Sequence, residues 1–167
     1  MKAQIFVALA LTCATPAMSD VVVQFDEGAP KDRFTISNTG TCPLGNVTVV
    51  LDLGASAAGL IFDVTSSGAG VSVFQPLELV AGAEYLASVP EVKDGDTRLE
   101  LPLTALAPGG RIAFTIDVDD TAGTSETMVT GSEMAGATVS IQPQAGGNEA
   151  VFSSTPIATV TYNSCSA

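Results

Sequence analysis

The sequence predicts an all-β protein, an antiparallel immunoglobulin-like β-sandwich, exported behind an N-terminal leader. Two observations carry the fold class. Apolar residues alternate with polar ones at period two, not at the roughly 3.6 of a helix. Clusters of Gly, Pro, Asn and Asp punctuate the chain about every 8–12 positions, the rhythm of short strands joined by tight turns. The leader rests on a third: Met1-Lys2 is followed by the apolar run Ile5-Phe6-Val7-Ala8-Leu9-Ala10-Leu11 and a small-residue exit at Ala17-Met18-Ser19. A basic start, a short apolar run and small residues at the cleavage positions make a secretory signal peptide over residues 1–19.

Cleavage is expected before Asp20, with cleavage after Ala17 as the alternative. A lipoprotein anchor through Cys13 is a poor fit, because Ala10-Leu11-Thr12 does not match the residues such a motif needs. No stretch approaches the roughly 20 apolar residues of a membrane-spanning helix, so no transmembrane segment is expected. Removing the first 19 of 167 residues leaves 148, which suits one domain over 20–167. The expected location is extracytoplasmic: periplasm, cell surface or medium.

The strands follow in order. Val21–Asp26 and Arg33–Ser37 flank the turn Glu27-Gly28-Ala29-Pro30, and Asn38-Thr39-Gly40 closes the second. Val47, Val49, Leu51 and Leu53 then point one way while Asn46, Thr48 and Asp52 point the other. Leu60–Val64 and Val71–Gln75 are short candidates. Leu77–Tyr85 is less regular and has room for a helical turn. Thr97–Leu103 contains Pro102, which cannot donate to a ladder and so puts this strand at an edge. Beyond Ala107-Pro108-Gly109-Gly110, Ile112, Phe114, Ile116 and Val118 alternate with Arg111, Thr115, Asp117 and Asp119 as one strand. Glu126–Thr130, Ala137–Gln142, Ala150–Ser153 and Ala158–Tyr162 complete the set.

Removing the leader takes Cys13 and leaves Cys42 and Cys165. In an oxidising compartment a single Cys42–Cys165 disulfide is expected. It would close nearly the whole domain, at a chain-entropy gain of about 5 kcal/mol or less. No Cys-x-x-Cys spacing marks a redox pair.

After cleavage, 18 acidic residues face five basic ones, a net charge of −13. Such a field repels nucleic acid and anionic lipid and favours cations or basic partners, and it also serves solubility alone.

Histidine is absent, so no His-based triad, Cys–His pair or His-ligated zinc site can form. Lys31 and Lys93 each lie near aspartates in loops, a poor setting for a lowered lysine pKa. A carboxylate hydrolase is a third reading, and it lacks the tryptophans that usually stack on sugar. The protein is read as not an enzyme. The triplet Asn46-Val47-Thr48 formally matches a glycosylation acceptor and carries no assigned role.

One constellation bears chemistry. Asp117 and Asp119 share a strand face about 7 Å apart, and Asp120 opens the next loop. Calcium takes six to eight hard oxygens, more than one strand supplies. Asp94 and Asp96 around Gly95, and Asp63 after Leu60-Ile61-Phe62, are the further donors. The competing reading is that these aspartates bond to nearby backbone amides and shape turns. Both readings stand on sequence alone.

The stretches Glu27-Gly28-Ala29-Pro30-Lys31-Asp32-Arg33-Phe34, Asn38-Thr39-Gly40-Thr41-Cys42-Pro43-Leu44, Ser56-Ala57-Ala58-Gly59-Leu60-Ile61-Phe62-Asp63, Val73-Phe74-Gln75-Pro76 and Phe114-Thr115-Ile116-Asp117-Val118-Asp119-Asp120-Thr121 resemble a family of exported bacterial proteins. Its members are labelled aggregation factor core proteins, after the core subunit of the sponge aggregation factor. The resemblance runs from about Asp26 to Gly136. It implies calcium-dependent, glycan-linked cell adhesion: a surface-associated, self-associating role, with a protein or glycan partner outside the cell and no catalytic residues. The alternative is a binding module for a protein or peptide that uses its carboxylates without metal.

Overall fold

The computed structural model describes residues 19–67, 74–121, 128–142 and 148–162. Cys13, Cys165 and nearly all of the proposed leader lie outside them, as do parts of the strand candidates Val71–Gln75 and Glu126–Thr130.

Eleven strands are described: β1 (Ser19–Asp26), β2 (Asp32–Asn38), β3 (Leu44–Asp52), β4 (Ile61–Phe62), β5 (Glu78–Ala81), β6 (Arg98–Leu106), β7 (Arg111–Ile116), β8 (Val118–Asp119), β9 (Thr138–Gln142), β10 (Asn148–Val151) and β11 (Ile157–Tyr162). One helical turn, α1 (Gly131–Met134), precedes β9. Every strand pair is antiparallel. A five-stranded sheet runs β11-β1-β2-β7-β5, a four-stranded sheet runs β10-β9-β3-β6, and β4 pairs with β8 at one end. The molecule is the all-β sandwich that period-two patterning predicts.

Alternation decides which side chains meet between the sheets. In β2, Phe34 and Ile36 are buried while Arg33 is exposed. Val21, Val23 and Phe25 of β1, Ile112, Phe114 and Ile116 of β7, and Leu99, Leu101 and Leu103 of β6 join them in one core. Phe34 is its aromatic centre: ring centroids lie 5.1 Å from Phe25, 5.4 Å from Phe114 and 6.4 Å from Phe62. Such pairs add to area burial by about 0.5–1.5 kcal/mol each.

The inward face of β2 ends in a polar residue at each pole. Asn38 is buried, and its amide donates to the carbonyls of Cys42 (2.8 Å) and Leu106 (2.9 Å) while accepting from Gly40 N–H (3.0 Å). Asp32 is buried at the other pole. Register places the end of β11 with the first of these, since Tyr162 pairs with Ser19 and Asn38 with Val21.

The elements differ from expectation in four places. The run from Arg111 to Asp119 is two strands, not one: β7 stays in the five-stranded sheet, β8 leaves to pair with β4, and Asp117 is the bend between them. The expected Leu60–Val64 strand is cut to Ile61–Phe62, because the chain turns at Asp63 around the Asp94 side chain. Leu77–Tyr85 holds the anticipated helical turn at Ala83–Tyr85 and also β5, whose half-exposed edge hides its alternation. Residues 128–130 are not strand. There Thr130 caps α1, accepting from Glu133 N–H while the Glu133 carboxylate accepts from Thr130 N–H, a reciprocal box that starts a helix.

β6 is the edge strand that Pro102 requires. Its outer rim is met by the segment after the 3-10 turn: Leu86 bridges Leu103, and Ala87 N–H donates to Pro102 O at 2.8 Å.

Candidate functional site

The site grows from the β4–β8 pair. Ile61 lies opposite Asp119 and Phe62 opposite Val118, so the loop after β3 is stitched to the end of β8. Asp63 N–H extends the ladder by donating to Asp117 O at 3.1 Å. The 94–96 turn docks on the other edge of β4: Phe62 N–H donates to Asp96 O (2.8 Å) and Gly95 N–H to Phe62 O (3.0 Å). Gly95 turns at φ +81 with open space where a Cβ would sit, so backbone conformation alone requires glycine there. Asp63, Asp94, Asp96, Asp117, Asp119 and Asp120 are thereby gathered at one pole.

Asp94, Asp96 and Asp119 each brace a backbone amide. Asp94 Oδ1 accepts from the amides of Val64 and Thr65, each at 3.1 Å. Burial raises its pKa, but those two bonds and side-chain bonds from Asp63 and Thr65 outweigh it and leave the group below its ordinary value. The Asp63 carboxyl has no exposed surface and lies within interaction range of Asp94. Asp96 Oδ2 accepts from Lys93 N–H at 2.8 Å, and Asp119 Oδ1 accepts from Asp120 N–H at 2.8 Å.

Asp32 joins this pole, and sequence reasoning missed it. It is 4 % exposed, with Oδ1 accepting from Gly28 N–H (3.1 Å) and Oδ2 from Val118 N–H (3.0 Å). Burial pushes its pKa up to about 7 against the lowering effect of those two amides, and the charges of Asp117 and Glu27 push the same way as burial. The one sequence cue was its place as first residue of a strand, four positions after a turn glycine, where an aspartate can bond back to the turn.

Asp117 is half-buried at the bend. Burial, then repulsion from Asp119, raises it to about 6, while Lys31 and the Val118 amide act in the opposite sense. The expected common strand face for Asp117 and Asp119 is replaced by a bend, yet the two stay within electrostatic reach. Lys31 is held nearby, its Nζ donating to Pro76 O (2.8 Å) and pairing with Glu78 (2.9 Å).

Calcium needs six to eight oxygens aimed at one point. Asp94, Asp96 and Asp119 each aim one carboxylate oxygen at backbone amides. Among the described residues no three acidic side chains converge to hold a metal ion. The geometry is that of turns built by aspartate. No protein-family model and no curated protein matches the chain.

Proposed function

We propose that the protein is an exported, non-enzymatic binding module of the adhesion or matrix type, whose acidic surface engages a basic partner without metal. The observation that carries this reading is the pole itself. Carboxylates from β2, the 63–65 turn, the 94–96 turn and the 117–120 bend are concentrated in one place, and those of Asp32, Asp94, Asp96 and Asp119 brace backbone amides. Such a surface presents a fixed negative field that attracts cationic groups and speeds their encounter. The resemblance to aggregation factor core proteins supports the adhesion role and a surface or periplasmic location.

The frame suits that role. β11 ends at the Cys42 pole, and an oxidising compartment favours pairing of the two cysteines left in the mature chain. Cys165 is three residues past Tyr162, and we assign it as the partner. The bond would fasten the C-terminal end to the pole opposite the acidic one.

Calcium remains a second reading, favoured by the neighbouring charges of Asp117 and Asp119: the charge of Asp119 helps to raise the Asp117 carboxyl above its ordinary value, an effect that a cation would offset.

Beads carrying the mature protein and beads carrying polylysine test the proposal. Co-aggregation is expected at low salt, with chelator present, and it should weaken steeply as salt rises. Aggregation that ignores salt, or that requires calcium, contradicts the metal-free reading.

A further inference from the structure

A groove of about 720 Å³ opens on the outer face of the four-stranded sheet, away from the core. That volume is within the range of small-ligand and short-peptide sites. Its floor is built from outward-facing positions of the β3–β6 pair. Thr48 lies opposite Pro102, and Glu100 and Arg98 continue along β6 while Leu99, Leu101 and Leu103 face the core. The segment Ser88-Val89-Pro90-Glu91 forms a wall, and Asp96-Thr97 closes one end.

Three features define what would sit there. The charge is lopsided: among the described residues, Glu91, Asp96 and Glu100 line the groove with Arg98 as the one base. Arg98 is already engaged, its Nε donating to Glu100 at 3.0 Å and its Nη1 lying 3.7 Å from Asp52. Glu100 is engaged in the same pair, so the charge left facing a guest is that of Glu91 and Asp96, which repels an anion and attracts a cation. Second, the apolar part is at the rim and held outward. Val89 is 62 % exposed and precedes Pro90, which favours an extended backbone at the residue before it. Third, a guest strand has no free ladder to join at Pro102, which lacks an N–H and whose carbonyl already accepts from Ala87. Recognition at Pro102 runs through side chains.

We propose that this groove binds a short, extended, lysine-bearing peptide segment of the partner, with lysine ammonium groups at Glu91 and Asp96 and aliphatic stems against Val89, Pro90 and Pro102. Lysine suits such a surface because its stem covers apolar groups while its head stays with the charge. The proposal rests on the metal-free binding role and adds where the partner sits and what it must carry.

The test uses the mature protein and two capped peptides, Ala-Lys-Val-Lys-Ala and its twin with Glu in place of Lys, in chelator. The lysine peptide should shift the amide NMR signals of Ser88, Val89, Glu91, Arg98 and Glu100, and the glutamate twin should not. Glu91→Lys, at an exposed loop position where folding is unthreatened, should weaken binding about tenfold by placing like charges together. Val89→Ser should weaken it by a smaller factor. The assignment is overturned by equal binding of both peptides, by shifts centred on Asp63, Asp94 and Asp117–Asp120, by an unchanged affinity in Glu91→Lys, or by no binding at millimolar peptide. Co-aggregation with polylysine that persists in any of these cases leaves the binding role standing and removes the groove alone.

Discussion

The amide of Asp63 donates to the carbonyl of Asp117 at 3.1 Å, and this bond joins two segments that lie more than fifty positions apart in the chain. It carries the β4–β8 pair one residue further, to the point where the chain meets Asp94. The acidic pole is therefore a built feature of the fold: backbone pairing sets its frame, and aspartate side chains fill the amides that the turns leave open. Buried amides without partners cost free energy, so carboxylates placed this way are structural before they are anything else.

Asp94 is the most connected of them, and its removal should be felt. Asp94→Ala leaves the amides of Val64 and Thr65 without their acceptor and should cost about 2 kcal/mol in denaturant unfolding, given typical values for bonds to charged groups. Asp94→Asn keeps a carbonyl oxygen at the same place and should cost less.

Asp32 makes stability depend on pH in an unusual sense. Its folded pKa of about 7 lies above the ordinary 3.8, so between those values the folded state holds a proton that the unfolded chain has lost. Stability therefore rises as pH falls from above 7 towards 4. Asp94 and Glu133, whose pKa values are lowered, reverse the trend below that range. Thermal melts should show a higher Tm near pH 5 than near pH 8, and Asp32→Asn should flatten the difference.

Asp117 adds to the same slope over a narrower window, from the ordinary 3.8 to about 6. Above pH 7, Asp117→Asn removes a half-buried charge that Asp119 repels, and the variant should melt higher than the parent. Near pH 4 the two should melt alike. A variant less stable than the parent at pH 8 would show that Lys31 outweighs Asp119 at this position.

Gly82 should not tolerate a side chain. It turns at φ +79 between β5 and the 3-10 segment, and an added Cβ would fall 2.3 Å from Arg111 O and 2.8 Å from Ile112 Cα. Gly82→Ala combines a disfavoured backbone conformation with a clash against a central strand. It should lower the denaturation midpoint far more than Gly95→Ala, where the conformational penalty of about 1–2 kcal/mol acts alone.

Much of the fold was legible because burial imposes period two on central strands. Phe34 and Ile36, Val47 to Leu53, and Ile112 to Ile116 display it openly. β5 was obscure because an edge strand with both faces partly wet has no reason to alternate. The break at Asp117 was hidden for a different reason: Val118 keeps the alternation of β7 while pairing with a different sheet, so the pattern runs on through a change of partner. The gathering of Asp63, Asp94, Asp96 and Asp117–Asp120 followed from sandwich topology, whereas their use as amide acceptors depends on which way each side chain turns. Asp32 was missed because it occupies an inward position between a turn and a strand, where a charged residue gives no periodic signal.

Calorimetric titration of the mature protein with calcium, paired with melts in chelator and in millimolar calcium, tests most directly whether the carboxylates of the acidic pole are committed to the fold. No saturable heat and an unchanged Tm are predicted. A saturable heat with a calcium-dependent rise in Tm, lost in Asp117→Asn, would contradict the account and return the pole to metal binding.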